Sequence, residues 1–166
     1  YGKVALVGKS FGVLKFSPHQ GPAITYDIAL PRKERSTGTG HRDFEIDYDP
    51  KLPIEEDLWR RDFTINAMAY DLKTEKLIDP TGGQKDLEGK ILRQVFEKAF
   101  EEDPLRLIRA IQFSARFELT IESATWEAMK KQASLIGTVS DERVIEEIKK
   151  MLGAKKPSVG INRMQE

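Results

Sequence analysis

The sequence predicts an α+β fold, with a sheet portion over residues 1–83 followed by a helical portion over residues 84–166. Three observations carry that reading. The first half consists of short, partly β-branched runs broken by Gly and Pro, the punctuation of strands and turns. From about residue 84 the apolar period lengthens to that of a helix, with start signals in place. The 166 residues are 39% hydrophobic and include 8 Phe and 2 Trp, enough to bury a core and too apolar for a disordered chain.

In order along the chain, Lys3–Val7, Phe11–Phe16 and Ala23–Leu30 read as strands of a small antiparallel sheet, separated by Gly8, Gly12, Pro18, Gly21 and Pro22. Pro31 to Pro53 holds Ser36-Thr37-Gly38-Thr39-Gly40 and then Asp43, Glu45, Asp47 and Asp49, and reads as a long surface excursion. A second strand pair is expected at Asn66–Leu72 and Lys76–Ile78, turning near Lys73-Thr74 and ended by Asp79-Pro80-Thr81-Gly82-Gly83. Asp103-Pro104 opens a helix, because Asp accepts the free N–H groups as N-cap and Pro fits the first helical position. Its apolar stripe is Leu105, Ile108, Ile111 and Ala115. Two further helices are expected around Glu122–Ala133 and Asp141–Leu152. Ser140 should cap the second, with Asp141 and Glu142 against its positive end.

Composition excludes several kinds of chemistry. With no Cys there is no disulfide framework, thiolate metal site or thiol nucleophile, and His19 and His41 are too few for an imidazole cage. No apolar run nears the roughly 20 residues that span a bilayer, and the first residues lack a signal-peptide layout, so a cytoplasmic protein without membrane partners is expected. The 27 Lys and Arg equal the 27 Asp and Glu, and each third of the chain is itself balanced. Any nucleic-acid binding must therefore come from charges placed on faces, since the net field steers nothing.

Gly8-Lys9-Ser10 does not make a phosphate loop, because that loop needs Gly five residues before Gly8 and position 3 is Lys. Glu45, Asp47 and Asp49 would share one face of an extended strand, where they could hold a divalent cation or merely solvate a loop. Two stretches are more informative. In Asp57-Leu58-Trp59-Arg60-Arg61-Asp62-Phe63-Thr64-Ile65-Asn66-Ala67-Met68-Ala69, polar groups are fixed among apolar ones. An Arg held so can meet a phosphate bidentately, and Asp and Asn can take sugar hydroxyls; the alternative is an ion pair of Arg61 with Asp62 or Asp57. In Glu102-Asp103-Pro104-Leu105-Arg106-Leu107-Ile108-Arg109, the Asp and both Arg can lie along one side of the helix. An acceptor beside a donor there imitates the edge of a pairing base; the alternative is an N-cap with an Asp103–Arg106 ion pair.

Together these stretches identify a resemblance. Arg60-Arg61-Asp62-Phe63-Thr64-Ile65-Asn66-Ala67-Met68-Ala69 resembles the ribose-recognition motif of the class II tRNA nucleotidyltransferases and bacterial poly(A) polymerases, and Glu102-Asp103-Pro104-Leu105-Arg106 resembles their base-recognition motif. Val7-Gly8-Lys9-Ser10-Phe11-Gly12-Val13, Pro31-Arg32-Lys33-Glu34, Ile78-Asp79-Pro80 with Gly83 and Asp86-Leu87, and Ser140-Asp141-Glu142-Arg143 follow in the family's order.

The resemblance implies part of a nucleotidyltransferase palm sheet, residues 1–83, joined to a helical neck, residues 84–166. It implies addition of C, A or both from CTP or ATP to the 3′ end of tRNA or another RNA with Mg2+, the terminal hydroxyl attacking the α-phosphate in line between two metal ions; CCA-adding, CC-adding, A-adding and poly(A)-adding members share these motifs. Arg61, Asp62 and Asn66 would meet phosphate and ribose, Asp103 and Arg106 would choose the base, and Arg109 would add a further nucleotide contact. Asp27 matches the family's additional acidic position on the palm sheet. Two departures stand out. Gln112 occupies the family's next basic position after Arg109, and the glycine-rich motif and paired aspartates that hold the metals precede the Gly8 strand. The metal site is therefore expected to be incomplete in this chain, and the alternative is a nucleotide- or RNA-binding module without catalysis. Strand edges left open by such a gap would favour self-association or a partner chain.

Overall fold

A computed structural model describes the chain except residues 8–12, 22, 31, 37–43 and 50, with backbone alone for 32–36 and 44–48. It divides into two compact units. One holds residues 1–39 and 43–57, and the other holds residues 58–166. Residues 58–83 thus belong by contact to the same unit as the helices.

In the first unit, β1 (Gly2–Val7), β2 (Val13–Pro18) and β3 (Tyr26–Ala29) form the expected antiparallel sheet in that order. The register sets Val4 opposite Phe16 opposite Tyr26, and Leu6 opposite Leu14 opposite Ile28. Because side chains alternate along a strand, these six apolar residues share one face. Lys15 and Asp27 lie on the other face and pair at 3.7 Å. The long loop expected after Pro31 is instead paired strand on both sides of residues 37–43. Strands β4 (Arg32–Ser36) and β5 (Phe44–Tyr48) pair antiparallel, and the alternation that spaces Glu45 and Asp47 is strand pairing. The Gly8-Lys9-Ser10 turn and Asp43 lie outside the described residues.

Helix α1 (Ile54–Trp59), not foreseen, precedes the polar motif. The expected strand at Asn66 begins later. Thr64–Asn66 is a tight 3-10 turn, and only then do β6 (Ala69–Asp71) and β7 (Lys76–Ile78) pair. The Asp71 carboxylate organises their turn, accepting from Lys73 N at 2.8 Å and Thr74 Oγ1 at 2.6 Å. Helix α2 (Gly83–Glu88) follows, its first N–H groups capped by Asp79 at 2.7 and 2.9 Å. Gly83 is required there, since a Cβ would land on the Thr64 carbonyl.

The remaining elements are β8 (Ile91–Leu92), α3 (Ala99–Glu102), α4 (Leu105–Phe117), β9 (Thr120–Ile121), α5 (Ser123–Gln132), α6 (Asp141–Leu152) and α7 (Pro157–Gln165). Asp103 is extended and Pro104 helical, with Leu105 N–H 3.3 Å from Asp103 Oδ1, as the start signal predicts. Ser140 stands at the N-cap of α6, but its side chain makes no capping hydrogen bond; its carbonyl instead receives Arg143 N at 3.1 Å. Helix α7 has no strong sequence signal beyond Pro157. Its Gly160 lies so close to Met151 that a Cβ would overlap the thioether. The core of the second unit is built from Phe63, Leu92, Phe100, Leu107, Ala110 and Ile111, with Met129 and Met151 closing it. No helix among the described residues is long and apolar enough to cross a membrane.

Candidate functional site

The polar motif is fixed by burial at its centre. Phe63 is extended and fully buried, edge-on to Phe113 with ring centroids 5.8 Å apart. On either side the backbone is strapped to residues 93–95, Thr64 N to Arg93 O at 3.0 Å and Val95 N to Asp62 O at 3.2 Å. A buried polar network below completes the hold. Asp86 accepts Thr64 Oγ1 at 2.7 Å and Arg93 Nε at 2.9 Å, and Arg93 also pairs with Glu122. Burial alone would raise the Asp86 pKa, but the hydrogen bonds from Arg93 and Thr64 outweigh it and hold the carboxyl below its ordinary value.

Asp62 is thereby aimed at α4. Its Oδ1 accepts Phe63 N at 2.8 Å and Asn66 Nδ2 at 3.0 Å, so the carboxylate and Asn66 are set together. Its Oδ2 accepts Arg109 Nε at 3.0 Å and Nη2 at 2.6 Å. The Arg109 guanidinium also lies 5.0 Å over the Phe113 ring and 3.6 Å from Glu147 Oε1. Arg106 reaches back as well, donating to Ala99 O at 3.1 Å and Arg60 O at 2.9 Å. Arg61 Nη1 lies 3.4 Å from Asn66 O. Asp103 faces Arg143 of α6, whose Nη2 is 3.4 Å from Oδ2.

Of the seven site residues named from the sequence, Arg61, Asp62, Asn66, Asp103, Arg106 and Arg109 all lie in the second unit, where the 60–62 segment and the α4 face meet through Arg106 and Arg109. Asp27 belongs to the sheet of the first unit. Arg106 binds two carbonyls, and the Arg on Asp62 is Arg109 in place of Arg61. Gln112 is buried at 1% exposure, facing the core instead of the open side of α4. Sequence reasoning missed Glu147, which reads as one more acid on a charged helix and is buried at 4% exposure.

Among the described residues no group of three or more His, Asp or Glu side chains is arranged to hold a metal ion. Asp27, which pairs with Lys15 at 3.7 Å, does not by itself fit a two-metal centre.

Comparison with known proteins identifies the family and the fold. The model of the poly A polymerase head domain matches residues 3–93, and that of the probable RNA and SrmB-binding site of polymerase A matches residues 118–166. A multifunctional CCA protein of Stenotrophomonas maltophilia (strain K279a) is 43% identical over 157 residues, 92% of this chain and 37% of its own length. That of Haemophilus ducreyi is 40% identical over 143 residues, 83% and 34% respectively. Among solved structures, the Bacillus stearothermophilus CCA-adding enzyme in complex with CTP superposes with a TM-score of 0.82 at 29% identity, over 99% of this chain and 38% of that one. The Thermotoga maritima CCA-adding enzyme complexed with tRNA-CCA gives 0.76 at 32% identity, over 99% and 36%. The chain spans little over a third of the length of these relatives. With the head-domain model matched over more than half of its residues, the chain belongs to the poly A polymerase head-domain family, that of the class II tRNA nucleotidyltransferases.

Proposed function

We propose that this chain provides the nucleotide-selecting part of an RNA 3′-end nucleotidyltransferase that adds C and A from CTP and ATP to tRNA with Mg2+. Residues 1–83 would be the palm portion and 84–166 the neck. The observation that carries the reading is the junction of the two motifs, Arg109 on Asp62 and Arg106 on the Arg60 carbonyl. It supports the reading because it joins the segment proposed to meet the sugar to the helix proposed to read the base.

The chemistry of each group follows. C and A present an exocyclic amino group where U and G present a carbonyl, so the Asp103 carboxylate accepts from the first pair and repels the second. Arg106 is held by two carbonyls, which leaves further N–H groups of its fork for ring acceptors of the base. Arg61 is a phosphate contact, and Asp62 and Asn66 are ribose contacts, with Arg109 at their edge. Asp27 is the acidic position of the palm. The metal ions, once held, would stabilise the attacking and leaving oxygens, and no step is assigned to them on the residues described.

Titration of the full chain with CTP and ATP tests the reading. Arg61→Ala and Arg106→Ala should each weaken binding by roughly tenfold or more, the worth of a hydrogen bond to a charged group. Asp49→Ala should leave it unchanged, and GTP and UTP should bind more weakly than CTP and ATP. Arg variants that bind as well as the parent, or a chain indifferent to the base, would sink the assignment. Labelled CTP and ATP offered with Mg2+ and tRNA lacking its 3′ end should give no turnover with this chain alone, since its described residues hold no group of carboxylates arranged for a metal ion; measurable turnover would overturn that expectation and exclude a purely binding module.

A further inference from the structure

The Asp62 carboxylate is full. It accepts from Phe63 N, Asn66 Nδ2, Arg109 Nε and Arg109 Nη2, which occupy the roughly four lone-pair positions of an ionised carboxyl. A ribose hydroxyl can reach it only if one of these donors leaves. Phe63 N is backbone of a fully buried residue, and Asn66 is fixed by the turn it closes. Arg109 is the donor with somewhere to go. Its Nη1 is 3.6 Å from Glu147 Oε1, beyond ordinary hydrogen-bond length. Lys150 already occupies that oxygen at 2.7 Å, while Glu147 Oε2 is buried with no hydrogen-bond partner among the described residues. A buried carboxylate oxygen left unpaired is costly, so it favours any donor that can reach it. The Phe113 face under the guanidinium gives Arg109 a surface to turn on without losing contact.

We propose that Glu147 is a positioning residue for the sugar end of the site: nucleotide binding hands Arg109 from Asp62 to Glu147, and the freed Asp62 Oδ2 accepts a ribose hydroxyl. The proposal rests on the functional reading above. Arg109 keeps a carboxylate partner in both arrangements, and the second arrangement satisfies an oxygen that the first leaves bare. The exchange begins at close range, because α4 and α6 already bring Arg109 Nη1 within 3.6 Å of the Glu147 carboxylate. Without Glu147 to receive Arg109, Asp62 stays occupied and the sugar hydroxyl has no acceptor.

The test compares CTP with 2′,3′-dideoxy-CTP on the full chain and on Glu147→Gln, reading binding by calorimetry. The parent should prefer CTP by roughly tenfold, the worth of one hydrogen bond to a charged group. Glu147→Gln should bring that ratio close to one and leave dideoxy-CTP affinity as it was. A merely structural role for Glu147 would weaken both ligands alike and keep the ratio, and that result overturns the proposal. Should the variant fail to fold, the Arg109 Nε–H resonance of the parent gives a second readout. It should shift with CTP and not with dideoxy-CTP, and equal shifts overturn the exchange. CTP binding that Arg106→Ala abolishes, with dideoxy-CTP bound equally well by the parent, leaves the functional reading standing and this one refuted. A parent that binds neither ligand refutes both.

Discussion

The junction of Asp62 with Arg109 can be measured as a coupling energy. Arg109 sets two N–H groups on one oxygen at 3.0 and 2.6 Å, with side-chain exposures of 10% for Asp62 and 29% for Arg109. A hydrogen bond to a charged group is worth about 1.5–3 kcal/mol, and the partial exposure of Arg109 argues against a larger figure. The cycle Asp62→Ala, Arg109→Ala and both together should therefore return a coupling of about 1.5–3 kcal/mol. Asp62→Ala alone should lose more, about 3–5 kcal/mol, because Phe63 N–H and the Asn66 amide lose their acceptor too. Urea denaturation followed by Trp fluorescence reads this unit, since Trp59 and Trp126 both lie in it. At a slope of roughly 2 kcal/mol per molar, the Asp62→Ala midpoint falls by about 1.5–2.5 M. The Lys130–Glu127 pair has the same 2.6 Å separation but exposures of 44% and 61%, and should couple by only a few tenths of a kcal/mol. Additive effects at Asp62 and Arg109, with a coupling under about 0.5 kcal/mol, would refute the argument that burial makes this pair matter.

Two other perturbations probe what holds the site in place. The folded Asp86 pKa lies below its ordinary value of 3.8, so its contribution is complete above that pH and is lost as pH falls through the lower, folded value. The stability gap between the parent and Asp86→Asn should close below about pH 4, and a gap constant across the acid range contradicts the account. Gly160→Ala should destabilise by about 1–3 kcal/mol through overlap with Met151, whereas a glycine inside an unobstructed helix would gain about 1 kcal/mol from the same change. A raised melting temperature would show that α7 does not pack this closely.

What the sequence revealed is what local chemistry decides. The β1–β3 meander was legible because Gly and Pro break its runs, and α4 because Asp103 and Pro104 announce it. The turn at Thr64–Asn66 was not, since its apolar neighbours imitate a strand. It is imposed by distant partners, namely Asp86, Arg93 and the close approach of Gly83. Helix α7 was hidden by Gly160 and a sparse apolar pattern, and only the Met151 contact explains the glycine. At the site, residue types and spacing located both motifs, but nothing local says that Arg109 crosses to Asp62. Glu147 was hidden for the same reason, as burial is a property of the packed helices and not of the run Glu142, Glu146, Glu147.

The neutral charge count takes on a local meaning in this light. The site is built from compensated charges: Arg109 lies between Asp62 and Glu147, Arg143 against Asp103, and Arg106 on carbonyl oxygens. No cluster of bare cations is needed to draw an anion in. On the proposed function, a nucleotide entering such a site must exchange partners with groups already paired. A base that presents a carbonyl to Asp103 would displace a favourable partner and offer none in return, at the cost of an unpaired carboxylate, about 1–3 kcal/mol or more. Preorganised pairs of this kind favour discrimination over tight binding. The balance seen in the sequence is thus consistent with a surface that reads one nucleotide, and it leaves the grip on a long RNA to other surfaces.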